Sequence, residues 1–290
     1  MDHLTMDLVK ISRRHRDGSI GTQKNRQRGL TAMAKQLSSL GYQLKSAHSL
    51  KPKHVHALVE TWQNTDCTPA TIRNRLSWLR WWAEKINKSA IIERNNRAYN
   101  AADRNTIEIN RAQSLDHEKL NAIECPHVKA ALLLQAAFGL RREEAMKFQP
   151  SFAMGQDRIK LKGSWTKGGR YREIPITSAH QYKVLDLAQR IAGKGSLIPS
   201  DKSYRKQLKS YEYQTLKAGL RNTHGLRHKY AQWRYAKLTD MPCPHAGGKR
   251  WRDMTKQERA KDREARRMIS NELGHSRLAI TDIYLGKAMR

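Results

Sequence analysis

The sequence is poor in the features that mark secreted, membrane-spanning and nucleotide-driven proteins. Its 290 residues hold three cysteines, Cys67, Cys125 and Cys243, an odd count at wide spacing that implies no disulfide framework. No apolar run approaches the ~20 residues that span a bilayer. The amino terminus, Met-Asp-His-Leu-Thr, lacks the basic flank and apolar stretch of a signal peptide, so a cytoplasmic protein without membrane contact is expected. There is no glycine-rich loop ending in Gly-Lys-Ser or Gly-Lys-Thr and no His-Glu-x-x-His pair, which removes support for ATP use and zinc proteolysis. Cys125-Pro-His127 and Cys243-Pro-His245 offer thiolates and imidazoles, but neither pair has the spacing of a zinc finger. No metal site is expected.

Acidic residues are also scarce. Against 56 Lys and Arg there are 26 Asp and Glu, a net charge of +30 that would self-repel strongly unless a polyanion neutralised it. The excess is spread along the chain: residues 1–100 carry 18 basic and 7 acidic residues, and the remainder 38 and 19. Both halves therefore read as surfaces facing nucleic acid, not as one basic tail. Charge alone does not choose between DNA, RNA and simple solvation of helix faces, because the electrostatic contribution reads no sequence.

Apolar residues recur at helical spacing in three early segments: Leu30 to Leu40, Val55 to Trp62 and Ile72 to Ile86. Asp17-Gly-Ser19 and Gly41 to Pro52 read as turns, and Thr68-Pro69 as an N-cap with proline in the first turn. The last of these helices sets Arg73, Arg75 and Arg80 beside Trp78, Trp81 and Trp82. The tryptophans read as core, and the arginines as candidate phosphate contacts. Residues 1–98 are thus expected to form a helical domain, 99–113 a polar linker, and 114–290 a second domain. That domain returns to helix through Leu132 to Phe138. It then shows β-forming segments, Arg158-Ile-Lys-Leu-Lys, Trp165-Thr-Lys-Gly-Gly-Arg and Arg172-Glu-Ile-Pro-Ile, around Gly168-Gly169, which predict a small antiparallel hairpin. Beyond Thr177 the pattern is helical, with loops at 193–200 and 241–248. The fold class is mainly α, with one small sheet.

Chemistry-bearing residues fall in three separated segments and a late tyrosine. In Gly139-Leu-Arg-Arg-Glu-Glu-Ala145, Arg141 and Glu144 lie three apart, so the carboxylate can hold the guanidinium. In His224-Gly-Leu-Arg227-His228, His224 and Arg227 share a face just after Thr223, a candidate N-cap. Leu273-Gly-His275-Ser276 follows, and Tyr284 comes nine residues after His275. Taken singly, each has a plain explanation: an ion pair, a capped helix start, a loop residue, a buried aromatic.

As an ordered set, Gly-Leu-Arg-x-x-Glu, a hairpin lysine, His-x-Leu-Arg-His, Leu-Gly-His-Ser and a late Tyr resemble the signature of the tyrosine recombinases of the phage integrase family. The resemblance runs from about Ser114 to Tyr284, and the first domain resembles that family's core-binding domain. Ser-Ile-Gly-Thr-Gln, Leu-Lys-Pro-Lys-His-Val and Leu-Arg-Trp-Trp-Ala-Glu-Lys are similar to integrases of mobile elements in proteobacteria, which implies a bacterial, nucleoid-associated setting. The resemblance makes Arg141 and Arg227 the two active-site arginines, Glu144 the support of the first, and His224 the partner of the second. It makes Lys167 the hairpin lysine, with Lys162 close enough for the alignment to slip, His275 the last phosphate contact, and Tyr284 the nucleophile. It implies two domains clamped around double-stranded DNA, a tetramer on two paired sites, an accessory DNA-bending protein as a further partner, and no cofactor.

The chemistry is coherent without the name. Attack on a phosphodiester builds negative charge on its nonbridging oxygens, which two guanidiniums hold through charge-assisted hydrogen bonds. A phenol ionises only near pH ~10, so a nucleophilic tyrosine needs a placed proton acceptor, for which His224 is suited. A 3′-phosphotyrosine retains the bond energy, so a partner hydroxyl can reverse the step.

Two departures from the family pattern stand out. Between Arg227 and His275 the chain is longer than usual, by an insertion at about 237–263. Its Lys249 to Arg267 part, nine basic and four acidic residues, is expected to be a charged helix that is either solvated or, through Lys249 and Arg250, in contact with DNA. After Tyr284 only Leu-Gly-Lys-Ala-Met-Arg follow, so the usual link between protomers is not expected, and with no arm-binding domain ahead of the bundle, short core sites are. The rival readings are a type IB topoisomerase, which relaxes one duplex without synapsis, and a non-catalytic DNA-binding regulator.

Overall fold

The computed structural model describes residues 2–65, 67–101 and 109–287. It divides into two compact units, Met1–Asn105 and Thr106–Arg290. Residues 102–108, the middle of the expected linker, and 288–290, the last of the residues after Tyr284, lie outside the described residues.

The first unit packs α1 (His3–Arg14), α2 (Ile20–Ser39), α3 (Pro52–Gln63) and α4 (Pro69–Lys85) around Leu8, Leu30, Leu37, Leu58, Trp62, Leu76, Leu79 and Trp82, all buried. Helix α1 was not expected. Its only core contacts are Leu4, Leu8 and half-buried Ile11 among polar neighbours, too thin a stripe to register against the charged background. The other three helices match their apolar periodicity, and α4 begins where expected, with Thr68 Oγ1 accepting from Thr71 N–H at 3.3 Å. Trp81 and Trp82 are core, each with its indole N–H satisfied: Trp82 donates to Ala47 O at 3.1 Å and Trp81 to Asp17 at 2.9 Å. The unit continues past residue 98, because Tyr99 and Ala101 are buried in the same core.

The second unit contains α5 (His117–Asn121), α6 (Pro126–Phe138), α7 (Arg142–Met146), α8 (Pro150–Ala153), β1 (Arg158–Leu161), β2 (Arg172–Pro175), α9 (Ala179–Ala192), α10 (Tyr204–Lys217), α11 (His224–Thr239), α12 (Lys256–Glu272) and α13 (Asp282–Leu285). Buried α6, apolar on most of its surface, is the central element against which α9, α11 and α7 pack. The hairpin forms as expected, antiparallel with Ile159 opposite Ile174 and both side chains buried. The Trp165 segment is not a strand: Gly163–Trp165 is a 3₁₀ turn whose indole sits 5.8 Å from the Phe152 ring.

The insertion differs from expectation. No helix starts at Lys249; α12 starts at Lys256, because the Thr255 hydroxyl accepts from Glu258 N–H while the Glu258 carboxylate accepts from Thr255 N–H, a capping box that sets the first turn. Nor does α12 stand off in solvent. Asp262, Ala265, Arg266 and Ile269 are buried, and the helix delivers the Leu273-Gly274-His275 corner.

Candidate active site

Two chain reversals and the start of one helix bring the expected residues together. Helix α6 ends at Gly139, whose φ of +61° is left-handed and where a Cβ would lie 2.5 Å from the Tyr230 ring. That close approach, added to the left-handed angle, demands glycine, and the reversal places Arg141 at the start of α7. Helix α12 ends similarly at Gly274, φ +64°, which turns His275 back toward the site. At the start of α11, Thr223 already has helical backbone angles and its side chain caps nothing. An N-cap hydroxyl reaches the helix from an extended conformation, so the capping expected of Thr223 does not occur.

Around Tyr284, which is 6% exposed, the distances are short. Its hydroxyl lies 3.3 Å from His224 Nε2 and accepts from Arg227 Nε at 3.4 Å. His275 is tilted against the phenol, with ring centroids 5.0 Å apart. Arg227 is fully buried; Nη1 donates to Gly139 O at 2.5 Å and Nη2 donates to Leu273 O. Three of a guanidinium's five N–H groups are thus engaged. Burial, then the neighbouring Arg141 charge, lowers its pKa to about 10, which still leaves it cationic at neutral pH.

Glu144 anchors the other arginine. Its carboxylate accepts from Arg141 N–H and Nη1, both at 2.7 Å, and from Arg172 Nη1 and Nη2 at 3.1 and 2.7 Å. Burial would raise its pKa, but the hydrogen bonds and charge of Arg172 outweigh that and hold it at about 2. Arg141 itself stays partly open, its side chain 24% exposed.

The imidazoles are neutral at physiological pH. Burial, then the Arg227 and Arg141 charges, pushes His224 to about 4 and His275 to about 3. His224 presents an edge to solvent, which screens part of this effect, and the downward direction is what matters: its Nε2 can accept a proton. His275 Nδ1 pairs with Thr281 Oγ1 at 3.1 Å, and its buried Nε2 has no partner among the described residues.

Lys167 is not in this cluster. It is exposed at the hairpin tip, beside Gly168 and Gly169 with φ of +84° and +70°. Lys162 is occupied: its Nζ donates to Gln149 Oε1 at 2.9 Å and lies 4.2 Å from the Phe152 ring centre.

The candidate DNA contacts divide. Arg75 lines, with Asn25, Arg28 and Asn74, a groove of about 500 Å³ between α2 and α4. Arg73 is half-buried on the same helix. Arg80 instead braces its own unit, donating to Glu93 O at 2.7 Å and Asn96 Oδ1 at 2.9 Å. Lys249 is exposed and paired with Glu258 at 2.6 Å, and Arg250 is exposed. Among the described residues no three His, Cys, Asp or Glu side chains gather as a metal site, and no helix is long and apolar enough to cross a membrane.

Sequence reasoning missed two participants. His228 stacks on Tyr284, ring centroids 4.2 Å apart and planes 26° from parallel. Its i+4 spacing from His224 was a usable signal. Arg172, which ties Glu144 to Glu272 O (2.8 Å), left none, since its partners are 28 and 100 residues away.

The fold is shared with known recombinases. A lambda integrase dimer bound to a COC′ core site aligns with TM-score 0.64 and 16% identity over 97% of this chain and 76% of that one. The Tn1549 transposon integrase in complex with circular intermediate DNA aligns with TM-score 0.61 and 14% identity over 100% and 97%. The XerH site-specific recombinase bound to difH substrate aligns with TM-score 0.58 and 17% identity over 97% and 80%. No curated protein matches the sequence significantly. Residues 1–90 match the family model for the phage integrase N-terminal domain, and residues 99–233 match the integrase family model. The chain belongs to the phage integrase family, and it is a tyrosine-type site-specific recombinase.

Proposed function

We propose that this enzyme cuts and rejoins duplex DNA through a 3′-phosphotyrosyl bond to Tyr284, and that it serves integration and excision of a mobile element. The observation that carries the reading is the placement of the Tyr284 hydroxyl between His224 Nε2, at 3.3 Å, and Arg227 Nε, at 3.4 Å. In the forward step the phenol oxygen attacks phosphorus, its proton passes to neutral His224, and the bond from phosphorus to the 5′-oxygen breaks. Arg227 and Arg141 hold the nonbridging oxygens as their charge grows, and His275 Nε2 supplies a further hydrogen bond. Lys167 protonates the departing 5′-oxygen; its exposed place just before two left-handed glycines suits a side chain that reaches into the DNA, whereas Lys162 is already engaged. The excess positive charge and the α2/α4 groove support duplex DNA as the partner. By the same reading, four protomers act on two paired sites, with an accessory DNA-bending protein assisting.

The test uses nicked duplexes tiled across the DNA flanking the enzyme's own gene. Cleavage near the nick releases a short 5′-hydroxyl fragment, so the covalent state accumulates as a detergent-stable adduct. The expected adduct maps by peptide mass to Tyr284 and vanishes in Tyr284→Phe; tight binding without an adduct on any duplex would sink the proposal. On the same substrates Lys167→Ala should slow adduct formation about 10²–10⁴-fold, the range for a lost general acid. A bridging 5′-sulfur, which leaves without a proton, should restore most of that rate, and Lys162→Ala should gain nothing from it.

A further inference from the structure

Helices α11 and α12, together with the 3₁₀ turn Pro244–Ala246 inside the insertion at 237–263, meet the chain around Tyr284. From one side, Gln232 Nε2 donates to Tyr284 O at 3.2 Å, and His245 Nδ1 lies 3.3 Å from the same oxygen. Asn110 links the two: its Oδ1 accepts from Gln232 at 2.9 Å and its Nδ2 donates to His245 O at 2.7 Å. From the other side, Arg266 Nη1 donates to Asp282 Oδ1 and to Gly286 O, both at 2.9 Å. Arg266 is held in turn by Asp262 at 2.9 Å, which accepts from Tyr235 Oη at 2.7 Å. The 3₁₀ turn Pro244–Ala246 leaves no room for a side chain at residue 286, where a Cβ would lie 2.9 Å from Pro244 Cβ.

The hydrogen-bond partners of Tyr284's carbonyl, of Gly286's carbonyl and of Asp282 are therefore supplied by α11, the insertion turn and α12 of the same chain. Among these contacts none involves the Tyr284 hydroxyl or the groups assigned to the phosphate. A tetrapeptide helix such as α13 cannot hold itself in place, since so short a helix is unstable alone. We infer that Gln232, His245 and Arg266 are positioning residues that clasp the Tyr284 backbone and so fix its hydroxyl against His224 and Arg227. The inference rests on Tyr284 being the nucleophile. It gives the helices flanking the insertion, and His245 within it, a task in catalysis distinct from DNA contact.

The clasp is tested by comparing two nucleophiles. Adduct formation on a nicked duplex reports attack by Tyr284; scission by added hydrogen peroxide, measured in a Tyr284→Phe background, reports the phosphate-activating groups without the tyrosine. Gln232→Ala should slow adduct formation about 10-fold and Arg266→Met about 10²-fold, the scale expected when a reacting atom is misplaced by about 1 Å. Peroxide scission should stay within about threefold of its parent in both, since only the tyrosine's placement is lost, and Arg266→Lys should recover part of the adduct rate. If Arg266→Met fails to fold, Gln232→Ala carries the result. Adduct rates unchanged in the folded variants would overturn the clasp alone, as would parallel loss of both reactions. A wild-type enzyme that forms no adduct would overturn the functional reading, and the clasp with it.

Discussion

Replacing Arg227 by lysine will lower the rate of adduct formation about 10²–10³-fold, the loss that follows removal of one fixed donor to a developing oxyanion. Lysine keeps the charge, but it is a point donor without the planar fork. It cannot reach the phenol hydroxyl, Gly139 O and Leu273 O at once, as the guanidinium does. The same change will destabilise the fold. Two buried carbonyls lose their partners, at about 1–3 kcal/mol each, and Tm should fall on the order of 10 °C. Thermal melts and adduct kinetics on one protein preparation check both parts. A variant of wild-type Tm and wild-type rate would show that the guanidinium's three bonds are incidental.

The second large effect is expected at Glu144. Glu144→Gln preserves shape but removes the negative charge that faces Arg172 and Arg141, and leaving the buried Arg172 guanidinium uncompensated costs about 3–5 kcal/mol. The pH dependence gives an independent measure. Glu144 is held at about 2 in the folded protein, against an ordinary value of 4.5. Its stabilisation is therefore complete above pH 4.5 and is lost as pH falls toward 2, a total of about 3 kcal/mol. The depressed histidines work in the same direction over a higher window, with stability declining as pH drops below 6.5 toward their folded values of about 3 to 4. The difference between wild type and Glu144→Gln isolates the carboxylate. Denaturant midpoints followed by tryptophan fluorescence should draw together for the two proteins as pH falls from 4.5 toward 2; a constant gap would show that Glu144 is not held in its charged form by its arginines.

Much of this was legible in the chain. Arg141 with Glu144, His224 with Arg227, the corner at His275 and the late Tyr284 each sit at spacings that local geometry can interpret, and five of the six proposed catalytic side chains lie at one site. Lys167 was legible as a hairpin residue but not as a neighbour of Tyr284, and it is not one here. What escaped detection depended on long-range pairing. Arg172 looks like any polar residue at the start of a strand until Glu144 and Glu272 O are found around it. Arg266 looked like one more charge on a solvated helix because its partners Asp282 and Gly286 come from a later segment. Helix α1 was hidden for the opposite reason: its few apolar side chains complete a core that other helices define.

The arginines of the site also meet helix ends. Gly139 O closes α6, Leu273 O and Glu272 O close α12, and these carbonyls receive Arg227 and Arg172. Helix carboxyl ends carry partial negative charge, so before any nucleic acid arrives the cations are already shared with fixed dipoles. A phosphodiester with a single negative charge must compete with those dipoles for the guanidiniums and gains modestly. The pentavalent phosphorane, with a second charge on its equatorial oxygens, gains more from the same groups. On the proposed mechanism the helix ends thus temper affinity for uncut DNA more than affinity for the transition state, which is the discrimination that raises turnover instead of binding.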